Sequence, residues 1–274
     1  MSRRQFVAGT TFAAGFALAV QPIVASVIQT SSDNLVSGFI SIDRDPDTIP
    51  AYYAAPAKGE GFPVILVIQE IFGVHEHIRD VVRRFAKLGY VAIAPELFSR
   101  QGDVSKLTEI DEIRKIVAKV PDAQVLADID ASLNWAVQNA KGSIDRVAIT
   151  GFCWGGRITW LYAAHNPKIK AGVAWYGKLT GDKNALNPQQ PIDIAANLTV
   201  PVLGLYGGQD TGIPLDSVES TRQQLQKGKS GSDIVIYPDA PHAFFADYRP
   251  SYRQADAEDG WKRLQDWFKA KGVK

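Results

Sequence analysis

Short apolar runs alternate with longer amphipathic stretches along most of the chain. Eight runs rich in β-branched and aromatic residues predict strands at 36–42, 50–55, 64–68, 90–94, 146–150, 171–176, 202–206 and 234–237. Six stretches with apolar residues three and four positions apart predict helices at 78–88, 107–119, 124–139, 155–164, 215–227 and 255–269. This alternation predicts an α/β fold, with roughly eight mostly parallel strands and helices on both faces of the sheet.

The details of the pattern refine that prediction. The first two strands flank a turn-rich insert at 43–46, which predicts an antiparallel opening hairpin. The aromatic stripe of the last helix, which includes Trp261 and Trp267, is more typical of core packing than of a ligand site. No internal repeat or long linker divides the chain, and the longest irregular stretch, 177–197, is long enough to cover a site.

The N-terminus has the pattern of a targeting segment. Arg3 and Arg4 are the only charged residues before Asp33, and they precede a mildly apolar stretch at 6–20. That stretch is shorter than the roughly 20 residues that a transmembrane helix needs. Residues 1–29 therefore resemble a twin-arginine export signal, which predicts passage through the twin-arginine machinery and a periplasmic or secreted domain at 30–274. The alternatives are an uncleaved anchor and a buried N-terminal helix.

Composition narrows the possible functions. The chain has 274 residues, of which 46% are apolar and 22% are charged, as in ordinary globular proteins. Its 30 basic and 29 acidic side chains give almost no net charge, so we do not expect a nucleic-acid partner. A single cysteine excludes an internal disulfide, and any role it has is that of a thiol.

That cysteine lies in a turn typical of catalytic nucleophiles. Cys153 follows the predicted strand 146–150 and opens a helical run, with Gly151 two positions before it and Gly155 two positions after it. A strand–turn–helix elbow of this kind projects its central side chain from the carboxyl edge of the sheet. Cysteine is a good nucleophile because part of it is thiolate at neutral pH. The alternative is a buried structural cysteine on a glycine-rich turn.

A base and an orienting acid follow in the expected order. Asp210 comes shortly after the strand 202–206, and His242 follows the strand 234–237. The carboxyl ends of parallel strands meet at one edge, where such sheets carry their sites. Asp216 and Asp239 are rival orienting acids, although neither directly follows a strand.

The other histidines have alternative interpretations. His165 ends the helix after the elbow and is expected to be a capping or surface residue. His75 and His77, near Glu70, could belong to a metal site, which would make hydrolysis metal-dependent. No third ligand of suitable spacing is evident, so we expect neither a metal nor an organic cofactor.

Four motifs together resemble the dienelactone hydrolase family, a branch of the α/β-hydrolases. They are Gln69-Glu70-Ile71-Phe72-Gly73, Gly151-Phe152-Cys153-Trp154-Gly155-Gly156, Gly207-Gly208-Gln209-Asp210 and Pro241-His242-Ala243-Phe244. The resemblance implies the α/β-hydrolase fold and a triad of Cys153, His242 and Asp210. It also implies an oxyanion hole made by the backbone N–H groups of Ile71 and Trp154. It further implies that Glu70, the carboxylate that the family places beside its nucleophile, is an accessory acid or base that holds the thiol protonated at rest or accepts its proton. The alternative is an ordinary loop carboxylate paired with Arg79.

The expected function is hydrolysis of a small carboxylic ester or lactone through a thioester intermediate. A non-catalytic periplasmic binding protein on the same scaffold is the alternative. The family's arginine four residues after the catalytic histidine is replaced here by Ala246, and the first arginine downstream is Arg249. The sequence leaves the substrate and the oligomeric state open. Six aromatic residues are expected either to line the mouth of the site or to pack in the core. They are Trp154, Trp175, Tyr176, Phe244, Phe245 and Tyr248.

Overall fold

The computed structural model describes residues 27–274, and it contains all eight predicted strands. They are β1 (Leu35–Arg44), β2 (Asp47–Pro56), β3 (Phe62–Ile68), β4 (Val91–Pro95), β5 (Gly142–Phe152), β6 (Ala171–Trp175), β7 (Val202–Gly207) and β8 (Asp233–Tyr237). The helices are α1 (Glu76–Lys87), α2 (Ile110–Val117), α3 (Asp122–Asn139), α4 (Trp154–His165), α5 (Pro191–Ile194), α6 (Leu215–Lys227) and α7 (Gln254–Ala270). The predicted α/β fold is confirmed.

The strands form one eight-stranded sheet in the order β1-β2-β4-β3-β5-β6-β7-β8. β1 pairs antiparallel with β2, with Arg44 opposite Asp47, so the predicted opening hairpin is present. β2 is antiparallel to β4, and every other pairing is parallel. The carboxyl ends of β3, β5, β6, β7 and β8 therefore lie along one edge of the sheet. β3 is on one side of β5, and β6, β7 and β8 are on the other.

Helices cover both faces of the sheet. Every residue of β4 and of β6 is buried, and because successive strand residues point to opposite faces, neither face is open to solvent there. The aromatic stripe of α7 is part of this core, as predicted: Leu264 and Phe268 are fully buried, and the Trp261 ring lies 4.8 Å from that of Phe85 on α1.

The stretch at 177–197, expected to be irregular, contains α5 and a 3₁₀ turn at Ala195–Asn197, and it is anchored to the helix that follows Cys153. Arg157 on α4 makes two hydrogen bonds to the Asp122 carboxylate, at 2.7 and 2.8 Å, and its Nε donates to Gln190 Oε1 at 2.8 Å. All three side chains are buried. This network fixes the position of the stretch relative to the elbow.

Residues 1–26 of the predicted export signal lie outside the described residues. Within residues 27–274, no helix combines the length and apolar character that a membrane span requires.

Candidate active site

The chain forms the strand–turn–helix elbow predicted at Cys153. β5 ends at Phe152, α4 begins at Trp154, and Cys153 between them has φ 55° and ψ −113°, a conformation that is strained for a residue with a side chain. A Cβ on Gly151 would lie 2.2 Å from the carbonyl oxygen of Gly155, so strand and helix meet this closely only because glycine is present. The elbow therefore presents the thiol, which is half-buried, at the carboxyl edge of the sheet.

Asp210 and His242 meet at this edge. His242 Nδ1 lies 2.6 Å from Asp210 Oδ2, and the aspartate is buried in the turn after β7. Its second oxygen accepts the backbone N–H of Gly212 at 2.8 Å, which fixes the carboxylate. Asp216 and Asp239, the rival acids, are exposed at the surface. Asp210 is thus the carboxylate that orients His242 in the structure.

The imidazole of His242 is also coupled to Cys153. Burial acts to lower the pKa of His242, but the charge of Cys153 and hydrogen bonds to Asp210 and Cys153 raise the pKa to about 10. Because Nδ1 faces Asp210, the other ring nitrogen is the one available to the sulfur. The three side chains, distant in sequence, form one interacting group.

A loop at 69–74, which contains Ile71, begins against the elbow. A Cβ on Gly155 would lie 2.5 Å from the carbonyl oxygens of Ile68 and Gln69, so this loop and the start of α4 are in direct contact. Glu96 holds the far end of the loop, since its Oε1 accepts the Val74 N–H at 2.7 Å. The N–H of Trp154, in the first turn of α4, has no intrahelical acceptor. The two donors expected from the sequence, Ile71 and Trp154, thus lie on segments that are in contact with each other.

Glu70 is a fully buried carboxylate held by residues from a distant part of the chain. Its Oε2 accepts a hydrogen bond from the Tyr248 hydroxyl at 2.5 Å and lies 3.3 Å from His75 Nε2. Arg249 Nη2 is 3.9 Å from Oε1. Burial acts to raise the pKa of Glu70, but the charge of Arg249 and the hydrogen bond to His75 hold it well below its usual value. Glu70 is therefore ionised at neutral pH.

Arg79 is not the partner of Glu70, so the pairing considered from the sequence is wrong. Arg79 Nη2 lies 2.8 Å from Glu76 Oε2, one helical turn away on α1. The actual partners, Tyr248 and Arg249, follow His242 closely in sequence, but no motif indicates which carboxylate they approach.

His75 and His77 have separate carboxylate partners. His75 contacts Glu70, whereas His77 Nδ1 lies 2.9 Å from Asp247 Oδ1. Among residues 27–274, no cluster of three or more histidine, cysteine, aspartate or glutamate side chains is arranged to hold a metal ion. His165 is exposed at the end of α4 and lies 2.7 Å from Asp130, which fits the expected surface role.

Most of the aromatic residues considered for a mouth are core residues. Trp175, Tyr176, Phe244 and Phe245 are buried, and the rings of Trp175 and Phe245 are 4.4 Å apart. Trp154 and Tyr248 are partly exposed.

A cavity of about 600 Å³ opens beside the 69–74 loop. Phe39, Phe72, His75, Arg79 and Glu96 are among its lining residues, whereas Cys153, Asp210 and His242 are not. A ligand in this cavity would contact His75, which lies 3.3 Å from Glu70.

The doubly covered, mostly parallel sheet and the cysteine elbow at its carboxyl edge define an α/β-hydrolase. Residues 49–272 match the Dienelactone hydrolase family, and the chain belongs to that family.

Individual relatives agree with this assignment. The chain is 58% identical over 275 residues to the "Putative carboxymethylenebutenolidase" of Methylorubrum extorquens, covering 100% of this chain and 94% of the relative. It is 57% identical to the protein of the same name from Escherichia coli K12, covering 97% of this chain and 98% of the relative. A crystal structure titled "Putative Dienelactone Hydrolase from Klebsiella pneumoniae subsp. pneumoniae MGH 78578" is 54% identical, with a TM-score of 0.83 over 86% of this chain and 98% of that one. The protein is an enzyme of the dienelactone hydrolase type.

Proposed function

We propose that the protein hydrolyses a small carboxylic ester or lactone, with Cys153 as nucleophile, His242 as acid and base, and Asp210 as orienting carboxylate. The observation that carries the proposal is the 2.6 Å contact between His242 and Asp210, made by an imidazole that is also coupled to the elbow thiol. The name carboxymethylenebutenolidase, given to the Methylorubrum and Escherichia relatives, supports a lactone or ester as the substrate class.

The first half-reaction forms a thioester. The Cys153 thiolate attacks the carbonyl carbon, and the carbonyl oxygen becomes an oxyanion bound by the N–H groups of Ile71 and Trp154. Loss of one such donor typically costs about 3 to 4 kcal/mol of transition-state stabilisation. As the carbon–oxygen bond to the leaving group breaks, the protonated His242 donates its proton to the departing oxygen.

The second half-reaction releases the acid. His242, now neutral, takes a proton from water, and the resulting hydroxide attacks the thioester carbonyl carbon. The carbon–sulfur bond breaks, the carboxylic acid leaves, and the thiolate–imidazolium pair is restored. Asp210 keeps the proton on Nδ1 throughout, so that the opposite ring nitrogen performs both transfers.

Glu70 is proposed as an accessory group. Its pKa lies well below the usual value, so it is a poor base for the thiol proton. We infer instead that it acts through its charge, fixed in place by Tyr248 and Arg249.

Replacement of the thiol tests the proposal. Cys153→Ala should abolish turnover of p-nitrophenyl acetate while circular dichroism and the melting temperature stay near wild type. Cys153→Ser keeps the geometry and should retain at most a small fraction of the activity, because a hydroxyl is the weaker nucleophile in this setting. Full activity of Cys153→Ala would refute the proposal.

Alkylation separates the enzyme from a binding protein on the same scaffold. Iodoacetamide should modify Cys153 faster than it modifies a model thiol at neutral pH if the thiol is activated. An unreactive thiol in a protein that hydrolyses no ester would favour the binding protein.

We also propose that residues 1–29 direct export of the folded protein through the twin-arginine machinery to the periplasm or the exterior. Arg3 and Arg4, with no acidic residue before Asp33, support this. Replacement of both arginines by lysine should leave the protein in the cytoplasmic fraction of expressing bacteria; unchanged export would contradict the proposal.

A further inference from the structure

The side chain of Tyr176 is buried next to the imidazole of His242. Tyr176 follows the last residue of β6, and it has φ 38°, in the left-handed region that residues with side chains seldom adopt. The preceding residue, Trp175, accepts the backbone N–H of Cys153 at 3.0 Å, and the N–H of Tyr176 donates to the carbonyl of Leu205 at 2.8 Å. The position of Tyr176 is therefore fixed by backbone bonds to both neighbouring strands.

The ring of Tyr176 is packed, but its hydroxyl has no partner. The side chain is 0% exposed, and the ring lies 5.2 Å from that of His242, edge to face, and 5.4 Å from that of Phe244. The hydroxyl makes no hydrogen bond in the described structure. A buried phenol without a partner costs free energy that phenylalanine would avoid, so the hydroxyl calls for an explanation.

Other polar atoms at this site are also unsatisfied. Glu70 Oε1 and Arg249 Nε are buried without hydrogen-bond partners. Burial, together with the charge of Glu70, holds the pKa of Tyr176 well above its usual value, so the phenol stays protonated and acts only as a neutral donor. Tyr176 interacts with Glu70, Arg249 and Cys153, and buried polar atoms left unpaired in such a group call for a ligand that completes them.

We propose that Tyr176 is a further catalytic residue, whose hydroxyl donates a hydrogen bond to the leaving oxygen of the bound ester. The inference rests on the proposed hydrolysis. One oxyanion donor, Ile71, follows β3, and β3 and β6 lie on opposite sides of β5. The leaving oxygen is the atom that His242 protonates, and the Tyr176 ring packs against the His242 ring. The Tyr176 hydroxyl, on the β6 side of Cys153, is therefore placed to donate a hydrogen bond to the leaving oxygen and not to the oxyanion.

The chemistry predicts which substrates depend on this donor. Negative charge develops on the leaving oxygen as its bond to the acyl carbon breaks. The Tyr176 hydroxyl stabilises that charge without losing its proton, because His242 supplies the proton that is transferred. A basic alkoxide gains much from such a bond, whereas p-nitrophenolate, which is already a good leaving group, gains little.

The test compares Tyr176→Phe with the wild type on a methyl ester and a p-nitrophenyl ester of the same acid. We expect kcat for the methyl ester to fall by about 10- to 100-fold, and that for the p-nitrophenyl ester to fall by less than about 3-fold. Across a series of leaving alcohols, log kcat/KM should decline more steeply with leaving-group pKa in the variant. Equal losses on both esters, or no loss on either, would overturn the proposal.

A control variant and two further measurements exclude indirect effects. Tyr206→Phe is the matched control: Tyr206 is also a buried tyrosine, but its hydroxyl accepts the Trp160 N–H at 3.1 Å, and its loss should leave both esters unaffected. The melting temperature of Tyr176→Phe should equal or exceed that of the wild type, since an unpaired hydroxyl is removed. Its rate of alkylation by iodoacetamide should be unchanged, and a slower rate would indicate an effect on the thiol and overturn the proposal.

The Cys153→Ala variant separates this proposal from the proposed function. If Cys153→Ala is inactive and Tyr176→Phe behaves as wild type on every ester, only the assignment of Tyr176 fails. If Cys153→Ala keeps full activity, the proposed hydrolysis itself fails.

Discussion

The side chains around Cys153 differ in how far the sequence predicts them. Cys153, Asp210 and His242 each follow a strand closely, and the parallel sheet brings such positions to one edge, so their meeting could be predicted. The partners of Glu70 could not be predicted in this way. Tyr248 is 178 positions away in the chain, and its contact depends on how the loop after β8 crosses the 69–74 loop.

The ionised Glu70 should make stability depend on pH in the acid range. Its pKa in the folded protein is below the ordinary value of 4.5, so its contribution is present above pH 4.5 and is lost as the pH falls. Glu70→Gln should lower the free energy of unfolding at pH 7 by about 3 to 5 kcal/mol, because Arg249 loses its buried counter-ion. The variant should also lose less stability than the wild type as the pH falls below 4.5.

Urea unfolding at several pH values measures both effects. Glu60→Gln, at an exposed position, is the control and should follow the wild-type curve. Parallel pH curves for Glu70→Gln and wild type would show that Glu70 has no lowered pKa in the folded state.

The structure contains every predicted strand and helix, and the differences lie at element boundaries and in the short helix α5. The helix expected at 107–119 is α2, at Ile110–Val117, and the chain before it forms a short 3₁₀ turn at Val104–Lys106. Asp103 caps that turn by accepting the Ser105 N–H at 3.0 Å, a local bond that competes with a longer helix. β5 begins at Gly142, earlier than the apolar run predicts, because its first residues pair with β3 although they are not fully buried.

The contact between the elbow and the 69–74 loop depends on Gly155. A Cβ there would meet the carbonyl oxygens of Ile68 and Gln69 at 2.5 Å, far inside van der Waals contact. Gly155→Ala should therefore push α4 away from β3, reduce ester hydrolysis at least about 100-fold, and lower the free energy of unfolding by about 1 to 3 kcal/mol.

Gly38→Ala, in β1, is the control for loss of glycine alone, since a Cβ there would meet nothing within 4 Å. It should leave activity and stability nearly unchanged. Kinetics on p-nitrophenyl acetate and thermal unfolding measure both variants, and wild-type activity in Gly155→Ala would contradict this account of the elbow.

The chain just before β1 is joined to the loop that follows His242 through a network of buried charges. The Ile28 N–H donates to Asp247 at 3.2 Å, and the Thr30 N–H donates to Asp80 at 2.5 Å. Arg84 links the two carboxylates, at 2.5 Å from Asp80 and 2.8 Å from Asp247. Asp247 lies in the same loop as Tyr248 and Arg249, so the segment at 28–33 helps to hold the residues that fix Glu70.

Removal of this segment should weaken the whole domain and its active site. A chain that begins at residue 34 loses both backbone donors and the Thr30 carbonyl that accepts from Arg83 Nε at 2.9 Å. Each of these three hydrogen bonds contributes about 0.5 to 1.5 kcal/mol net, so we expect the free energy of unfolding to fall by about 2 to 4 kcal/mol relative to a chain that begins at residue 27. Hydrolysis should also decline, because the Glu70 contacts loosen. Urea unfolding and ester kinetics on the two chains measure both effects. If the two chains unfold and react alike, the segment makes no contribution to the fold.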